Sequence, residues 1–260
     1  LLLHTLPNKH KKISKANLEL VFPHKTSLQI NSILRDSLFH SIMNMLEAGL
    51  VWGNQDYKKK PGFINVKNFS KIETALSSNK GVLLFTPHIG NIEIIINFLG
   101  QHTDCTIPYT QPKNKDLDKI ITNSRNKSGV KMVDINVSGI KDMLSALKNK
   151  KLVAVASDQV PKKGAGIISK FFNSEIYSMS LLPKLQQRTG CVAHLMYCER
   201  KENGKGFVIH FDSKIDLSSD IQEGVDKMNN EFEKCIMKLP GQYSWEYKKF
   251  KRTELDSIYK

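Results

Sequence analysis

The chain has 260 residues, of which 40% are hydrophobic and 25% are charged. That length can bury a full core and fits one α/β domain, and the composition excludes an intrinsically disordered chain. Lys and Arg number 39 against 25 acidic residues, which gives a net charge of +14 at pH 7. This excess favours an anionic partner: an acidic lipid, a phosphorylated ligand, an acidic carrier protein or a nucleic acid.

The basic residues are distributed along the chain rather than gathered in one tail. Small clusters lie at Lys9–Lys12, Lys58–Lys60 and Lys248–Arg252, and this spread argues against a single nucleic-acid-binding tail. The four cysteines form no CxxC pair, so a reduced, cytoplasm-facing compartment is the simplest interpretation. No HExxH motif occurs, and a metal site therefore has little support.

The apolar runs and the N-terminus bear on membrane association. No apolar run approaches the roughly 18 to 20 residues that span a bilayer. The chain begins at Leu1 instead of a methionine. We therefore expect that an upstream piece is missing, such as a membrane helix or a targeting segment.

The first 80 residues are predicted to be mainly helical. Between Ser27 and Val51, apolar side chains recur at spacings near three and four, which is typical of an amphipathic helix. Its apolar face would either pack on the core or face lipid or an acyl chain, and the pattern leaves both open.

Residues 81–260 alternate short apolar runs with helical patterns. The predicted strands are Val82–Phe85, Cys105–Tyr109, Leu152–Ala156, Val192–Cys198 and Phe207–Phe211. The predicted helices are Ile92–Leu99, Lys115–Lys127, Ser138–Asn149, Ser178–Thr189 and Ser219–Met237. This alternation predicts an α/β fold with a mixed, mostly parallel sheet flanked by helices. We expect one domain over residues 1–260, with a helical N-terminal part and an α/β part from residue 81.

In such sheets, chemistry collects in loops beyond the carboxyl ends of strands. Two loops of this kind are Thr86–Glu93 and Ser157–Gly166. In the first, His88 follows a strand end, Glu93 lies five residues on at a helix start, and Gly90 lets the backbone bend between them. Glu93 would hold one ring nitrogen as N–H and leave the other free to take a proton from an attacking hydroxyl.

The HxxxxE spacing alone is a weak signal, because a capping histidine and a surface glutamate also produce it. A covalent nucleophile has less support still, since there is no GxSxG motif and no cysteine lies near His88 in sequence. The dyad suits direct acyl transfer, in which an alcohol attacks a thioester carbonyl without a covalent enzyme intermediate.

Four blocks in chain order carry a resemblance to a known family. They are Ala16–Pro23 (ANLELVFP), His88–Glu93 (HIGNIE), Ser157–Gln159 with Phe171–Phe172, and Pro240–Trp245 (PGQYSW) running into Lys248–Lys251. Over residues 17–251 the chain resembles the lipid A biosynthesis lauroyl/myristoyl (late) acyltransferase family, within the wider lysophospholipid acyltransferase-like superfamily. The block H-x-G-N-x-E is considerably more specific than HxxxxE.

The resemblance implies a glycerolipid-acyltransferase-like fold and a catalytic pair, His88 and Glu93. It implies transfer of a fatty acyl chain from an acyl carrier protein thioester to a hydroxyl of a lipid A precursor, at the cytoplasmic face of the bacterial inner membrane. The expected partners are acyl carrier protein, an anionic glycolipid and the membrane surface, with no nucleic acid. We expect no cofactor, because the thioester donor is already activated.

Further residues are candidates for substrate binding. They are Gly90, Asn91, Arg125, Asp158, Gln159, Lys162 and Lys163. Arg125 would bind a lipid phosphate or the donor's phosphopantetheine, or be a solvated helix arginine. Asp158 would bind the acceptor sugar or fix a catalytic loop, or cap local backbone N–H groups. Lys162 and Lys163 would bind phosphate or belong to an ordinary solvated loop.

The chain departs from the family pattern in several places. Tyr109–Pro112 lacks the arginine of Tyr-Arg-x-Pro, Asn173 stands where a glycine usually follows the two phenylalanines, and Tyr247–Lys249 replaces His-Arg-Arg. Loss of arginines removes bidentate phosphate contacts, which leaves the acceptor and donor contacts open. Trp245 would lie at the lipid headgroup level or act as a core anchor.

Two alternatives remain. The same chemistry would serve another glycolipid, such as a mannosylated phosphoinositide, or a glycerophospholipid, although Glu93 leans away from the glycerol-phosphate enzymes, which usually show HxxxxD. A non-catalytic basic module that binds membrane or nucleic acid would leave the HIGNIE and DQ blocks without a reason.

Overall fold

The computed structural model describes residues 9–53 and 60–260. Lys58 and Lys59 of the second basic cluster lie outside the described residues. The helices are α1 (Lys9–Val21), α2 (Ser27–Gly53), α3 (Ser70–Ser77), α4 (Ile92–His102), α5 (Lys115–Ser128), α6 (Val137–Lys148), α7 (Leu181–Thr189) and α8 (Ile221–Lys238). The strands are β1 (Ile64–Lys67), β2 (Val82–Thr86), β3 (Cys105–Tyr109), β4 (Lys131–Asp134), β5 (Leu152–Ala156), β6 (Gly166–Phe171), β7 (Ser174–Met179), β8 (Val192–Arg200) and β9 (Phe207–Ile215).

Seven strands form one sheet in the order β1-β9-β8-β2-β5-β3-β4. Every neighbouring pair is parallel except β8 with β9, which is antiparallel. Strands β6 and β7 form a separate antiparallel hairpin. The prediction of a mixed, mostly parallel sheet flanked by helices is therefore confirmed.

Strand β2 shows why a continuous apolar run becomes a central strand. All five of its residues are buried, and alternate side chains join different clusters. Leu83 and Phe85 belong to the core on one face of the sheet, whereas Val82 and Leu84 belong to the core on the other. Since helices cover both faces, neither set of side chains is polar.

Helix α2 packs on the core along one side, which includes Ala48 and Val51 in its second half. Leu34 and Leu38 are buried, but Met45 is 78% and Leu46 is 61% exposed. The packed interpretation of this amphipathic helix thus holds for its buried side, while further apolar side chains of its C-terminal half are exposed. No helix in the described part of the chain is both long and apolar enough to cross a membrane.

Two parts of the predicted element order need correction. The predicted helix start at Ser178 is wrong, because Ser174–Met179 is the second strand of the hairpin and the helix begins at Leu181. Strands β1 and β4 were not predicted, because each has only four residues and part of each is exposed, so no apolar run marks them.

Candidate active site

Sheet register brings the two suspected loops together. Strands β2 and β5 are parallel neighbours, and Thr86 pairs with Ala156 at their carboxyl ends. His88 lies two residues after the end of β2, and Asp158 lies two residues after the end of β5. The loops therefore meet at the same edge of the sheet, where open α/β folds bind their ligands.

The His88–Glu93 loop has a fixed backbone shape. Gly90 has φ of +58°, and a Cβ atom there would overlap the carbonyl oxygen of Cys198, so only glycine fits. Asn91 is the N-cap of α4, and its side-chain oxygen accepts a hydrogen bond of 3.0 Å from the backbone N–H of Glu93.

The C-terminal segment pairs with this loop. The backbone N–H of Gly90 donates to the carbonyl of Gln242 at 3.0 Å, and the N–H of Ser244 donates to the carbonyl of His88 at 3.0 Å. Asn17 on α1 in turn donates to the carbonyls of Trp245 at 2.7 Å and Tyr247 at 2.8 Å. The first, second and fourth of the four sequence blocks thus converge around His88.

His88 and Asp158 form a tight pair. Nδ1 of His88 lies 2.5 Å from Oδ1 of Asp158, and the backbone N–H of His88 donates to Oδ2 at 2.9 Å. The Asp158 side chain is 4% exposed, whereas that of His88 is 29% exposed. One carboxylate therefore fixes both the ring and the backbone of the histidine, and part of the ring remains accessible.

Burial and charge set the protonation of this pair in opposite directions. Burial lowers the pKa of His88, but the Asp158 carboxylate outweighs it, so the pKa lies above the ordinary 6.5. Burial raises the pKa of Asp158, but His88 outweighs it and the pKa falls to about 2. Asp158 is thus ionised across the physiological range.

Two buried residues of the C-terminal segment surround Asp158. Lys249 donates from Nζ to the main-chain oxygen of Asp158 and lies over the ring of Phe171, 4.8 Å from its centroid. Burial lowers the pKa of Lys249 to about 8, although the charge of Asp158 raises it in part. Burial, together with Asp158, raises the pKa of Tyr243 well above 10. These contacts bring the third sequence block to the same place.

The predicted contact between Glu93 and the His88 ring is corrected by this geometry. The Glu93 carboxylate instead pairs with Arg125 of α5, with Nη2 at 2.5 Å from Oε1 and Nε at 3.3 Å from Oε2. A guanidinium matches both oxygens of a carboxylate, and the Arg125 guanidinium also lies over the Tyr109 ring at 4.8 Å. Asp158 holds the ring, and the catalytic part of Glu93 stays a prediction.

A second charged network holds α2 beside the loop. Arg200 at the end of β8 pairs with Glu47, with distances of 2.8 Å and 2.5 Å, and its Nη2 donates to Asn44. Glu47 also accepts a hydrogen bond of 3.1 Å from the side chain of Asn91. The cap residue of α4 is therefore linked directly to the helix that covers the site.

His88 lines two cavities. The outer cavity has a volume of about 490 Å³ and lies between α2, the His88 loop and the C-terminal segment. Its main lining residues are Leu38, Ile42, Met45, Ala48, Trp52, His88, Asn91, Glu93, Ser244 and Glu246. The second cavity, called the inner cavity, has a volume of about 270 Å³ and lies at the carboxyl ends of β2, β3 and β5. Its main lining residues are His88, Ile92, Ile95, Ile96, Leu99, Ile107, Arg125, Gln159, Met179, Leu181 and Met196.

The remaining predicted residues fall in different environments. The side-chain nitrogen of Gln159 lies 3.4 Å from Nε2 of His88, so this residue faces the free side of the ring. Lys162 and Lys163 are exposed, and their ammonium groups form no ion pair with described residues. Trp245 is fully buried, which confirms the core interpretation and rules out a place at the headgroup level.

Several residues around the site were not predicted as functional. Tyr243, Glu246, Lys249 and Arg200 all lie far from His88 in sequence. The C-terminal block was recognised, but only as part of a resemblance, because nothing local in it indicates which strand end it covers. Basic and aromatic residues near a chain terminus more often indicate a surface.

The site therefore combines a partly accessible histidine, held by a buried aspartate, with two largely apolar cavities. A family profile described as bacterial lipid A biosynthesis acyltransferase matches residues 2–252. The chain belongs to that family and is an acyltransferase, and the family supports acyl transfer to a lipid A precursor.

Individual relatives agree with this membership. The chain is 23% identical over 245 residues to a lipid A biosynthesis palmitoleoyltransferase of Escherichia coli. The matched residues are 94% of this chain and 79% of the relative. It is 25% identical over 248 residues to a lipid A biosynthesis lauroyltransferase of the same organism, covering 92% and 78%. A lipid A biosynthesis acyltransferase of Haemophilus influenzae is 25% identical over 250 residues, covering 92% and 76%.

Proposed function

We propose that the protein transfers a fatty acyl chain from an acyl carrier protein thioester to a hydroxyl of a lipid A precursor. His88 is the general base that takes the proton from that hydroxyl. The observation that carries this proposal is the position of His88. Its Nδ1 is held by Asp158 and it lines both cavities. Two substrates, one in each cavity, can therefore both reach the same proton acceptor.

The orientation of the ring determines the chemistry. Because ionised Asp158 accepts the N–H at Nδ1, the neutral ring has its lone pair at Nε2. The acceptor hydroxyl gives its proton to Nε2 while its oxygen attacks the thioester carbonyl carbon. The carbon–sulfur bond then breaks, and the proton on Nε2 passes to the leaving thiolate. No covalent bond to the protein forms at any stage.

The two cavities support different substrate parts. The inner cavity is lined mainly by aliphatic side chains, including those of Ile95, Leu99 and Leu181, and we assign it to the acyl chain of the donor. The outer cavity is bordered by α2, whose apolar side chains continue onto an exposed surface, and we assign it to the lipid acceptor.

A membrane surface is the natural source of such an acceptor. Phe39, Met45, Leu46 and Leu50 of α2 are each more than half exposed, and Met45 also lines the outer cavity. An apolar helix face combined with a net charge of +14 favours an anionic lipid interface. We place the protein at the cytoplasmic face of the inner membrane, where acyl carrier protein can reach it.

The pairing of Glu93 with Arg125 supports a positioning part for that carboxylate. The two side chains are each 12% exposed and join α4 to α5 beside the inner cavity, which Arg125 lines. The pair would keep the first turn of α4, and with it the His88 loop, in place.

Purified protein in detergent tests the substrates directly. Acyl carrier proteins that bear chains of different length would be offered with three acceptors: a lipid A precursor, a mannosylated phosphoinositide and a lysophospholipid. We expect transfer to the lipid A precursor. Transfer to another acceptor alone would keep the chemistry and change the substrate, and no transfer to any lipid would contradict the proposal.

A further inference from the structure

Glu246 is a carboxylate that lines the outer cavity and has no role in the proposed reaction. It follows the buried Trp245 in the C-terminal segment and lines the cavity together with His88 and Ser244. Its charge is close enough to His88 to contribute to the raised pKa of that ring. An acidic group beside the base would serve no purpose for an alkyl chain, and it suggests a polar ligand.

The Oε2 atom of Glu246 is buried and has no hydrogen-bond partner among the described residues. This contrasts with Glu93 in the same cavity, both of whose oxygens accept from Arg125. A buried acceptor without a donor is costly, and more so when it is charged. The last side-chain torsion of a glutamate is broad and roughly two-fold, so its two oxygens can exchange places. The missing donor can thus be supplied by a ligand.

Trp52 on α2 lines the same cavity and carries an unpartnered hydrogen-bond donor. Its indole Nε1, a group that can only donate, is buried and has no acceptor among the described residues, and the residue lines the outer cavity. One cavity is therefore lined by a residue with an unpartnered donor and by a residue with an unpartnered acceptor, both atoms lying behind its surface. A hydroxyl group both donates and accepts, so a polyol satisfies both atoms.

We propose that Glu246 and Trp52 position the sugar hydroxyls of the acceptor headgroup in the outer cavity, with Glu246 accepting and Trp52 donating a hydrogen bond. This inference rests on the proposed function and names the acceptor's neutral sugar face as the part that enters beside His88. The phosphates of an anionic headgroup remain outside, because a carboxylate repels them. Both residues are positioning residues, since His88 alone receives the proton.

Conservative variants separate this contact from the rest of the site. Glu246→Gln keeps the shape but removes the charge, and Trp52→Phe keeps an aromatic ring but removes the N–H. Glu254→Gln is the matched control, because Glu254 is an exposed carboxylate of the same C-terminal region. Kinetics with a detergent-solubilised lipid A precursor and acyl carrier protein thioester would be combined with calorimetric titration of the precursor alone.

We expect Glu246→Gln to raise the acceptor KM and Kd about tenfold or more, as for a lost hydrogen bond to a charged group. Trp52→Phe should raise them severalfold, and the donor KM should not change in either variant. The acid limb of the pH profile should move to lower pH in Glu246→Gln, since a charge that raises the pKa of His88 is removed. Glu254→Gln should match the wild type in every measurement.

Unchanged acceptor KM and Kd in both variants would overturn this inference and leave the proposed reaction standing. A lower acceptor Kd in Glu246→Gln than in the wild type would also overturn this inference, because it would show that the carboxylate faces a phosphate. If the wild type binds the precursor but transfers no acyl chain, the proposed function fails, and the calorimetric comparison still decides whether Glu246 and Trp52 hold the headgroup.

Discussion

At the scale of single residues, the contact between His88 and Asp158 determines what the histidine can do. A carboxylate that accepts the Nδ1 proton selects the tautomer whose Nε2 is a base. It also stabilises the imidazolium that forms when the acceptor hydroxyl is deprotonated. The backbone N–H of His88 donates to the same carboxylate, so the loop and the ring are fixed together.

This arrangement predicts the pH dependence of the rate. A base is active when neutral, and the pKa of His88 is raised above 6.5 by Asp158, so kcat/KM should rise with pH through a midpoint above 6.5. In Asp158→Asn the midpoint should move to lower pH, and the rate on the plateau should fall about 10²- to 10⁴-fold, because the tautomer is no longer selected. A pH–rate profile checks both. An unchanged midpoint in Asp158→Asn would contradict the assigned contact.

At the scale of elements, the pair between Glu93 and Arg125 joins α4 to α5. Both side chains are 12% exposed, so Arg125→Met would leave a largely buried carboxylate without its partner. We expect a loss of about 3 kcal/mol in the free energy of unfolding, part of which the double variant Glu93→Gln/Arg125→Met should recover. Urea denaturation of the wild type, Glu93→Gln, Arg125→Met and the double variant measures the coupling energy between the two side chains. Additive losses would show that the two residues do not stabilise each other.

Helix α2 is amphipathic in two senses along its length. One side packs on the core from Ile30 to Val51, and the second half also carries exposed apolar side chains next to the outer cavity. Because the same periodicity produces both, the sequence pattern could not separate a core face from a lipid face. Only the position of α2 at the open edge of the site distinguishes them.

The exposed face of α2 predicts a measurable membrane contact. Leu46→Ser should lower the fraction of protein that sediments with anionic phospholipid vesicles severalfold. The Leu46 side chain is 61% exposed in the protein, and its burial in the lipid interface would be lost. Activity in detergent should remain near that of the wild type. Val137→Ser is the control, because Val137 is 71% exposed at the start of α6. Equal loss in both variants would mean that α2 has no special place at the membrane.

At the scale of the whole molecule, the sequence predicted the central strands because they are buried on both faces and therefore uniformly apolar. Strands β3 and β5 have the predicted bounds, and β2 ends one residue later than predicted. The hairpin of β6 and β7 was not predicted, and only Ser178 and Met179 of it lie where a helix was expected. Edge strands with half-exposed residues leave too weak a periodicity.

The candidate site was predictable in part for the same reason. Both loops follow apolar strands, so each was recognised from local sequence, and the HIGNIE block identified His88. The partner of His88 was not, because the choice of Asp158 over Glu93 depends on β2 and β5 being neighbours in register. The burial of Lys249 and the position of Glu246 depend on a segment that returns to the site about 150 residues later in the chain.

The most direct test of His88 as the base is acyl transfer by His88→Ala, in detergent, from the best donor to the lipid A precursor. His24→Ala is the control, because His24 is exposed in the turn after α1. With folding verified by circular dichroism, we expect transfer to fall at least about 10²-fold in His88→Ala and to remain unchanged in His24→Ala. Transfer by His88→Ala within a factor of two of the wild type would contradict general-base catalysis at this residue.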